Sequence, residues 1–164
     1  MNQGVFGFPV RAGSTGIPTV VLRAEFASGT QGGTNVAGAW TRRVLNTKAV
    51  DTDNICVLSG DQFTLPAGAF EIAAVAQFAY AEQVQLRLID AVTSAVLLLG
   101  GNARGGSGYG NDCQAPLIGR FVLPAAQLLE IQYRALTAGG TVGLGWAASW
   151  GVEVYTQAMI RKVG

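Results

Sequence analysis

Histidine is absent from all 164 residues. That removes Ser-His-Asp and Cys-His nucleophile systems at a stroke, together with the usual His-containing zinc sites. Cysteine occurs only twice, at Cys56 and Cys113, and the pair matches no metal-ligand spacing. Two fates stay open for it: reduced and packed as small apolar side chains, or bridged, according to how far apart the fold holds them. Charge is scarce too. Only 13% of residues are Asp, Glu, Lys or Arg, about half the share of an ordinary globular chain. Net charge is +1 with no basic cluster, so nucleic-acid binding is not expected. The start of the chain lacks the charged, apolar and small-residue sequence of a signal peptide. The apolar stretch Ala91–Leu99 is too short to span a bilayer, and no membrane insertion is expected. A protein made and assembled in a cytoplasm is the simplest expectation.

What is abundant is apolar surface, 49% of the residues. Two segments read as long strands. In Phe70–Ala79, Phe70, Ile72, Ala74, Ala76 and Phe78 share one face, while Ala73, Val75 and Ala79 keep the other nearly apolar. In Val152–Val163, Val152, Val154, Ala158 and Ile160 share a face opposite Tyr155, Met159 and Val163. An isolated antiparallel sheet alternates apolar-in with polar-out. Strands that are greasy on both sides imply one face for the core and one for a neighbouring subunit. Too few charges remain to cover an ordinary monomer.

The chain divides at Pro18. Residues 1–18 carry scattered glycines and two prolines around Val5, Phe6 and Phe8, with no periodicity. They read as an extended N-terminal arm able to plug into a partner. From 19 to 164 short strands alternate with turns. The expected strands are Val20–Phe26, Trp40–Leu45, Ile55–Leu58, Gln62–Leu65, Phe70–Ala79, Val84–Ile89, Ala95–Leu99, Leu117–Leu123, Leu128–Leu136, Val142–Ser149 and Val152–Val163. Asn46–Asn54 reads as a polar connection. Gln127–Leu136 keeps the strand period, with Leu129, Ile131 and Tyr133 alternating against Glu130, Gln132 and Arg134. Many short strands at regular spacing predict an all-β antiparallel sandwich or barrel.

Gly100–Gln114 reads as a long glycine-rich loop. Phosphate-cradling loops need a helix to follow, and here Pro116 and a strand follow instead. A plain connection is one reading. A recognition loop is the other, with Tyr109 as a stacking face and Asn102, Arg104, Asn111 and Asp112 as hydrogen-bonding partners for sugar hydroxyls. The acidic residues Asp51, Asp53, Asp61 and Asp90 sit in turn-like sequence, where aspartate bonds its own backbone. They mark neither a glycosidase carboxylate pair nor a convincing calcium loop, so no catalytic residue, metal or cofactor is expected. Trp40 reads as core. Trp146 and Trp150 fall on one side of the Val142–Ser149 strand and its continuation, fit for core, a subunit contact or a sugar platform.

Several stretches taken in order resemble a known family. They are Val21-Leu22-Arg23 leading into Ser28-Gly29-Thr30-Gln31-Gly32-Gly33, and then Trp40-Thr41-Arg42-Arg43-Val44-Leu45-Asn46-Thr47. Gln62-Phe63-Thr64-Leu65-Pro66-Ala67-Gly68 follows, before a long strand, then Gly119-Arg120-Phe121, and finally Gly151-Val152-Glu153-Val154-Tyr155. Together they are similar to the C1q/TNF-like jelly-roll domains of tailed-bacteriophage fibre and spike proteins. The resemblance implies a jelly roll of about ten strands that forms a homotrimer around a three-fold axis. It further implies a virion location, host-surface contact and no catalytic motif. A fibre shaft is missing before the head, which favours a decoration, head-spike or tail-associated trimer docked by its arm on capsid or tail proteins. Host-surface polysaccharide is the expected external partner. The rival reading is a secreted or cell-surface carbohydrate-binding β-sandwich module.

Overall fold

The computed structural model describes residues 16–106 and 112–164, so the arm residues Val5, Phe6 and Phe8 lie outside the described residues. Eleven strands run in order: β1 Thr19–Phe26, β2 Thr41–Arg42, β3 Thr47–Asp51, β4 Val57–Ser59, β5 Gln62–Leu65, β6 Gly68–Ala79, β7 Gln83–Asp90, β8 Val96–Arg104, β9 Asp112–Leu123, β10 Gln127–Ala135 and β11 Glu153–Lys162. One 3-10 turn, Gly140–Val142, interrupts them, and no α-helix occurs among the described residues. One sheet has the order β3-β1-β11-β6-β9; the other runs β4-β5-β10-β7-β8, with β2 also pairing to β10. The strands pair antiparallel. The fold is all-β and antiparallel, as the strand pattern predicts, and of the two forms that pattern allows it takes the sandwich, arranged as the jelly roll that the resemblance implies.

Strand alternation explains the core. Phe70, Ile72, Ala74, Ala76 and Phe78 of β6 point inward with Leu117, Phe121 and Leu123 of β9. They meet Phe63 and Leu65 of β5, Leu86 and Leu88 of β7, and Leu129, Ile131 and Tyr133 of β10. Phe70 stacks on Phe121 at 5.5 Å between ring centres. Phe78 tilts against Tyr133 at 5.4 Å.

Four expectations are corrected. Asn46–Asn54 is not merely a connection: Thr47–Asp51 forms the edge strand β3, whose pairing with β1 overrides its polar composition. Val142–Ser149 is not a strand, because tight backbone bonds such as Gly32 N–H to Gly145 O and Leu144 N–H to Gly33 O hold it as a cap over one end. Trp40 is only half-buried. Its ring carries the Arg87 guanidinium 4.3 Å from the centroid. The glycine-rich segment is strand at both ends, β8 reaching Arg104 and β9 beginning at Asp112. Gly100 belongs to β8 because a Cβ there would lie 2.3 Å from the Pro116 carbonyl oxygen. Only glycine lets the two sheet edges approach so closely.

The face assignment of the last strand is corrected as well. Ala158 and Ile160 are buried as expected. Ala24 pairs with Thr156 and the next residue, Glu25, with Val154, so Tyr155 is a bulged extra residue. A bulge reverses the side-chain parity of everything beyond it. Tyr155 and Glu153 therefore turn inward, and Val152 is left exposed.

One buried charge ties these parts together. Arg43 is 1% exposed. Its Nε donates to Thr156 Oγ1 at 2.6 Å, and Nη2 donates to the carbonyls of Leu144, Tyr155 and Gln77 at 2.7, 3.1 and 3.2 Å. The guanidinium also lies 4.9 Å above the Phe78 ring. Desolvation pulls its pKa down to about 9, which still leaves it cationic at neutral pH. Replacing it by methionine, Arg43→Met, strips four acceptors of their donor at roughly 1 kcal/mol apiece. Urea unfolding is expected to show a loss of about 3 kcal/mol or more, with Arg43→Lys recovering only part, because a point ammonium cannot span the same acceptors.

Candidate functional site

A cleft of about 520 Å³ lies on the outer face of the sheet containing β7, β8 and β10. Register builds its floor. Arg134 on β10 pairs with Gln85 on β7, which pairs with Asn102 on β8. One step along, Gln83 pairs with Arg104, and the Leu136 amide donates to the Gln83 carbonyl. Two rows of outward side chains thus cross three strands, with guanidiniums at opposite corners. At about 4.8 Å between strands and about 3.4 Å per residue, Arg104 and Arg134 sit two strands and two residues apart, roughly 12 Å between their backbones, a span their long side chains can close on one small ligand. Gln85 Nε2 is steadied by the Gly100 carbonyl at 2.9 Å.

The candidate recognition residues are therefore split. Asn102 and Arg104 line this cleft. Asp112 opens a different hollow of about 320 Å³ beside Gln77, Gln114 and Trp146. Tyr109 and Asn111 lie outside the described residues. The sequence reading missed Arg134, Gln83 and Gln85 as site residues. Their alternation on β7 and β10 was visible, but nothing in the sequence says that those strands adjoin β8.

Beside the cleft, charge is neutralised locally. Glu130 accepts from Arg42 Nε at 2.7 Å and Gln62 Nε2 at 2.8 Å, and from the Gln132 side-chain amide. Despite burial, these donors hold its carboxyl below the ordinary value. Gln132 in turn accepts two bonds from Arg87, at 2.8 and 2.6 Å.

Three other acids act on the backbone, Asp51 and Asp90 locally as turn chemistry predicts and Asp61 across to a distant segment. Asp51 accepts from the Ile55 and Cys56 amides and from Lys48 Nζ. Asp90 accepts from the Val92 and Thr93 amides, and Asp61 from the Leu45 amide. Among the described residues no group of three His, Cys, Asp or Glu side chains is placed to hold a metal ion. Cys56 and Cys113 are both free thiols; burial pushes the Cys56 thiol up to about 11.

The capping loop carries the second notable surface. Trp146 is half-buried, packing edge-on to Tyr80 at 5.9 Å, whereas Trp150 is 95% exposed. No strand joins the two, contrary to the expected Val142–Ser149 strand. The loop owes its shape to Glu153, whose carboxylate accepts from the amides of Gly29, Ala148 and Ser149 at 2.7–2.9 Å.

No family model matches the chain, and no curated protein matches it. Solved structures do share its fold. Murine APRIL at pH 8.0 superposes with a TM-score of 0.58 at 9% identity, covering 89% of this chain and 99% of that one. The vertex protein P5 of PRD1 superposes with a TM-score of 0.56 at 14% identity, covering 91% and 99%. The architecture is thus the TNF-like jelly roll that the sequence resemblance implied.

Backbone amides favour the charged form of Glu153 and hold its carboxyl below the ordinary value, which is about 4.3. A depressed carboxyl stabilises the fold above that ordinary value, and the contribution is lost as pH falls through the folded-state value. Tryptophan emission is therefore expected to shift as pH is lowered from 6 to 2. In Glu153→Gln the shift should vanish, leaving an already loosened loop at neutral pH. An unchanged acid transition in that variant would remove Glu153 from its role in shaping the loop.

Proposed function

We propose that the protein is a virion structural component: a homotrimeric jelly-roll head, docked on capsid or tail proteins by residues 1–18 and contacting host-surface polysaccharide. The observation that carries this reading is an apolar band on the outer face of the β3-β1-β11-β6-β9 sheet. Val50, Val21, Met159, Ala73 and Ile118 pair in one continuous row across all five strands. Val75 and Pro116 extend it in the next row, and Ile118 is 72% exposed. Because Ala73 is small, the middle of the band dips into a hollow of about 400 Å³ between Ile118 and Met159, rimmed by Glu71, Arg120 and Arg161. A solvated outer face would place polar residues there.

The exposed edge beside this face is apolar as well, with Val122 on β9 and Val96 and Leu99 on β8. An edge fitting onto the face of the next copy is a heterologous contact, which closes as a ring when the rotation allows. The C1q/TNF-like resemblance supplies the order of that ring, three. Likeness of fold to a protein titled PRD1 vertex protein P5 supports placement on a virion. Commitment of Asp51, Asp90, Glu130 and Glu153 to backbone amides and ion pairs supports a binding rather than a catalytic role.

Light scattering is expected to give three times the 17.0 kDa chain mass. Arginine in the hollow (Ala73→Arg) or on its rim (Ile118→Arg) should yield folded single copies, since either buries an unpaired charge in the contact. A wild-type protein that stays single at micromolar concentration overturns the trimer. Deleting residues 1–18 should leave the trimer intact and abolish incorporation into particles; particles that still take up the truncated chain overturn the arm.

A further inference from the structure

The cleft on the β7, β8 and β10 face has a charge character that the adhesion reading alone does not specify. Among the described residues, ion pairs join Arg23 to Glu25, Arg42 to Glu130 and Lys48 to Asp51. Arg104 and Arg134 take part in none of them, and both project from strands whose inward neighbours, Ala103 and Ala135, pack towards the core. Among the described residues no carboxylate lines the cleft. Its remaining polar wall consists of side-chain amides, each both a donor and an acceptor. Two unpaired guanidiniums facing amides make a site with a surplus of directed positive charge and neutral hydrogen-bonding partners around it.

We propose that this cleft binds a carboxylate-bearing sugar of an acidic polysaccharide, with Arg104 and Arg134 holding the carboxylate and Gln83, Gln85 and Asn102 taking ring hydroxyls. The proposal rests on the adhesion reading and names its ligand class. A planar guanidinium matches a carboxylate through two parallel N–H bonds. Amides match hydroxyls, which likewise donate and accept. The volume, about 520 Å³, falls within the range of small-ligand sites. A nucleic-acid strand fits less well, because the described lining offers no aromatic face for bases to stack upon.

The test uses the full chain and calorimetric titration with four probes. They are a uronic-acid tetrasaccharide, its carboxyl-reduced neutral counterpart, inorganic phosphate and a single-stranded DNA decamer. The uronic-acid probe is expected to bind with an affinity that falls as salt rises, and carboxyl reduction should weaken binding at least tenfold. Arg104→Gln and Arg134→Gln should each weaken it at least tenfold and Asn102→Ala about threefold. Lys162→Gln, which removes equal charge at the far end of β11, should leave it unchanged. Light scattering and thermal unfolding of each variant confirm that the assembly persists.

Equal binding of the charged and neutral sugars, or full binding by both arginine variants, overturns this cleft as the site while leaving adhesion standing. Binding confined to phosphate or DNA overturns the sugar assignment. Absence of binding to every sugar in an array of acidic and neutral glycans overturns both this proposal and the adhesion reading beneath it.

Discussion

A guanidinium without a carboxylate partner closes one end of this fold's core. Arg43 reaches from the segment after β2 to the ends of β6 and β11 and to the capping loop. Burying a charge is costly unless hydrogen bonds replace its hydration. Here neutral carbonyls, a hydroxyl and an aromatic face do so for Nε and Nη2, while Nη1 is buried without a hydrogen-bond partner among the described residues. The arrangement accounts for features that look unrelated in the sequence. The bulge at Tyr155 turns both Tyr155 and Thr156 towards the interior, which brings a carbonyl and a hydroxyl to the same cation. The irregular path of Gly139–Ser149 supplies the Leu144 carbonyl. Closely fitted glycines make that path feasible: a Cβ at Gly32 would lie 2.5 Å from the same Leu144 oxygen, and one at Gly143 only 2.0 Å from Asn35 Oδ1.

The sandwich exposes two outer faces of opposite character. One carries an apolar row across five strands and a shallow hollow; the other carries arginines, amides and a half-buried tryptophan stacked under Arg87. This division follows from which strands lie side by side. β6, β9 and β11 bring Ala73, Ile118 and Met159 into line, whereas β7, β8 and β10 bring Gln85, Asn102 and Arg134 into line. Arginine stands on both sides, but on the β3-β1-β11-β6-β9 sheet Arg23, Arg120 and Arg161 fall in the rows flanking the apolar one and do not interrupt it. That placement leaves a dry row bordered by charge, as contacts between copies commonly have.

Legibility in the sequence varied with the local physics. The inward faces of β6, β7 and β10 could be read directly, since period-two alternation over eight or more residues has one meaning. β3 could not: Thr47, Lys48 and Asp51 are polar, and only the exposed edge of β1 makes a strand of them. Gly100 and Gly101 read as loop because glycine commonly marks turns, yet at Gly100 the lack of a side chain serves close packing against Pro116. Half of the cleft was visible as Asn102 and Arg104. Its other half, Arg134 with Gln83 and Gln85, depended on strand order, which alternation does not encode.

Composition and alternation by themselves determined that the chain is an all-β sandwich, poor in charge and lacking the histidine that common catalytic centres need. They also placed apolar side chains on the outward face of β6, because parity along one strand is a local property. Tertiary structure alone decided which strands became neighbours, where the bulge at Tyr155 reversed parity, and that Arg43 rather than an aromatic residue fills the end of the core. The physical reason is that register and burial come from contacts between segments distant in the chain, and no single segment carries that information.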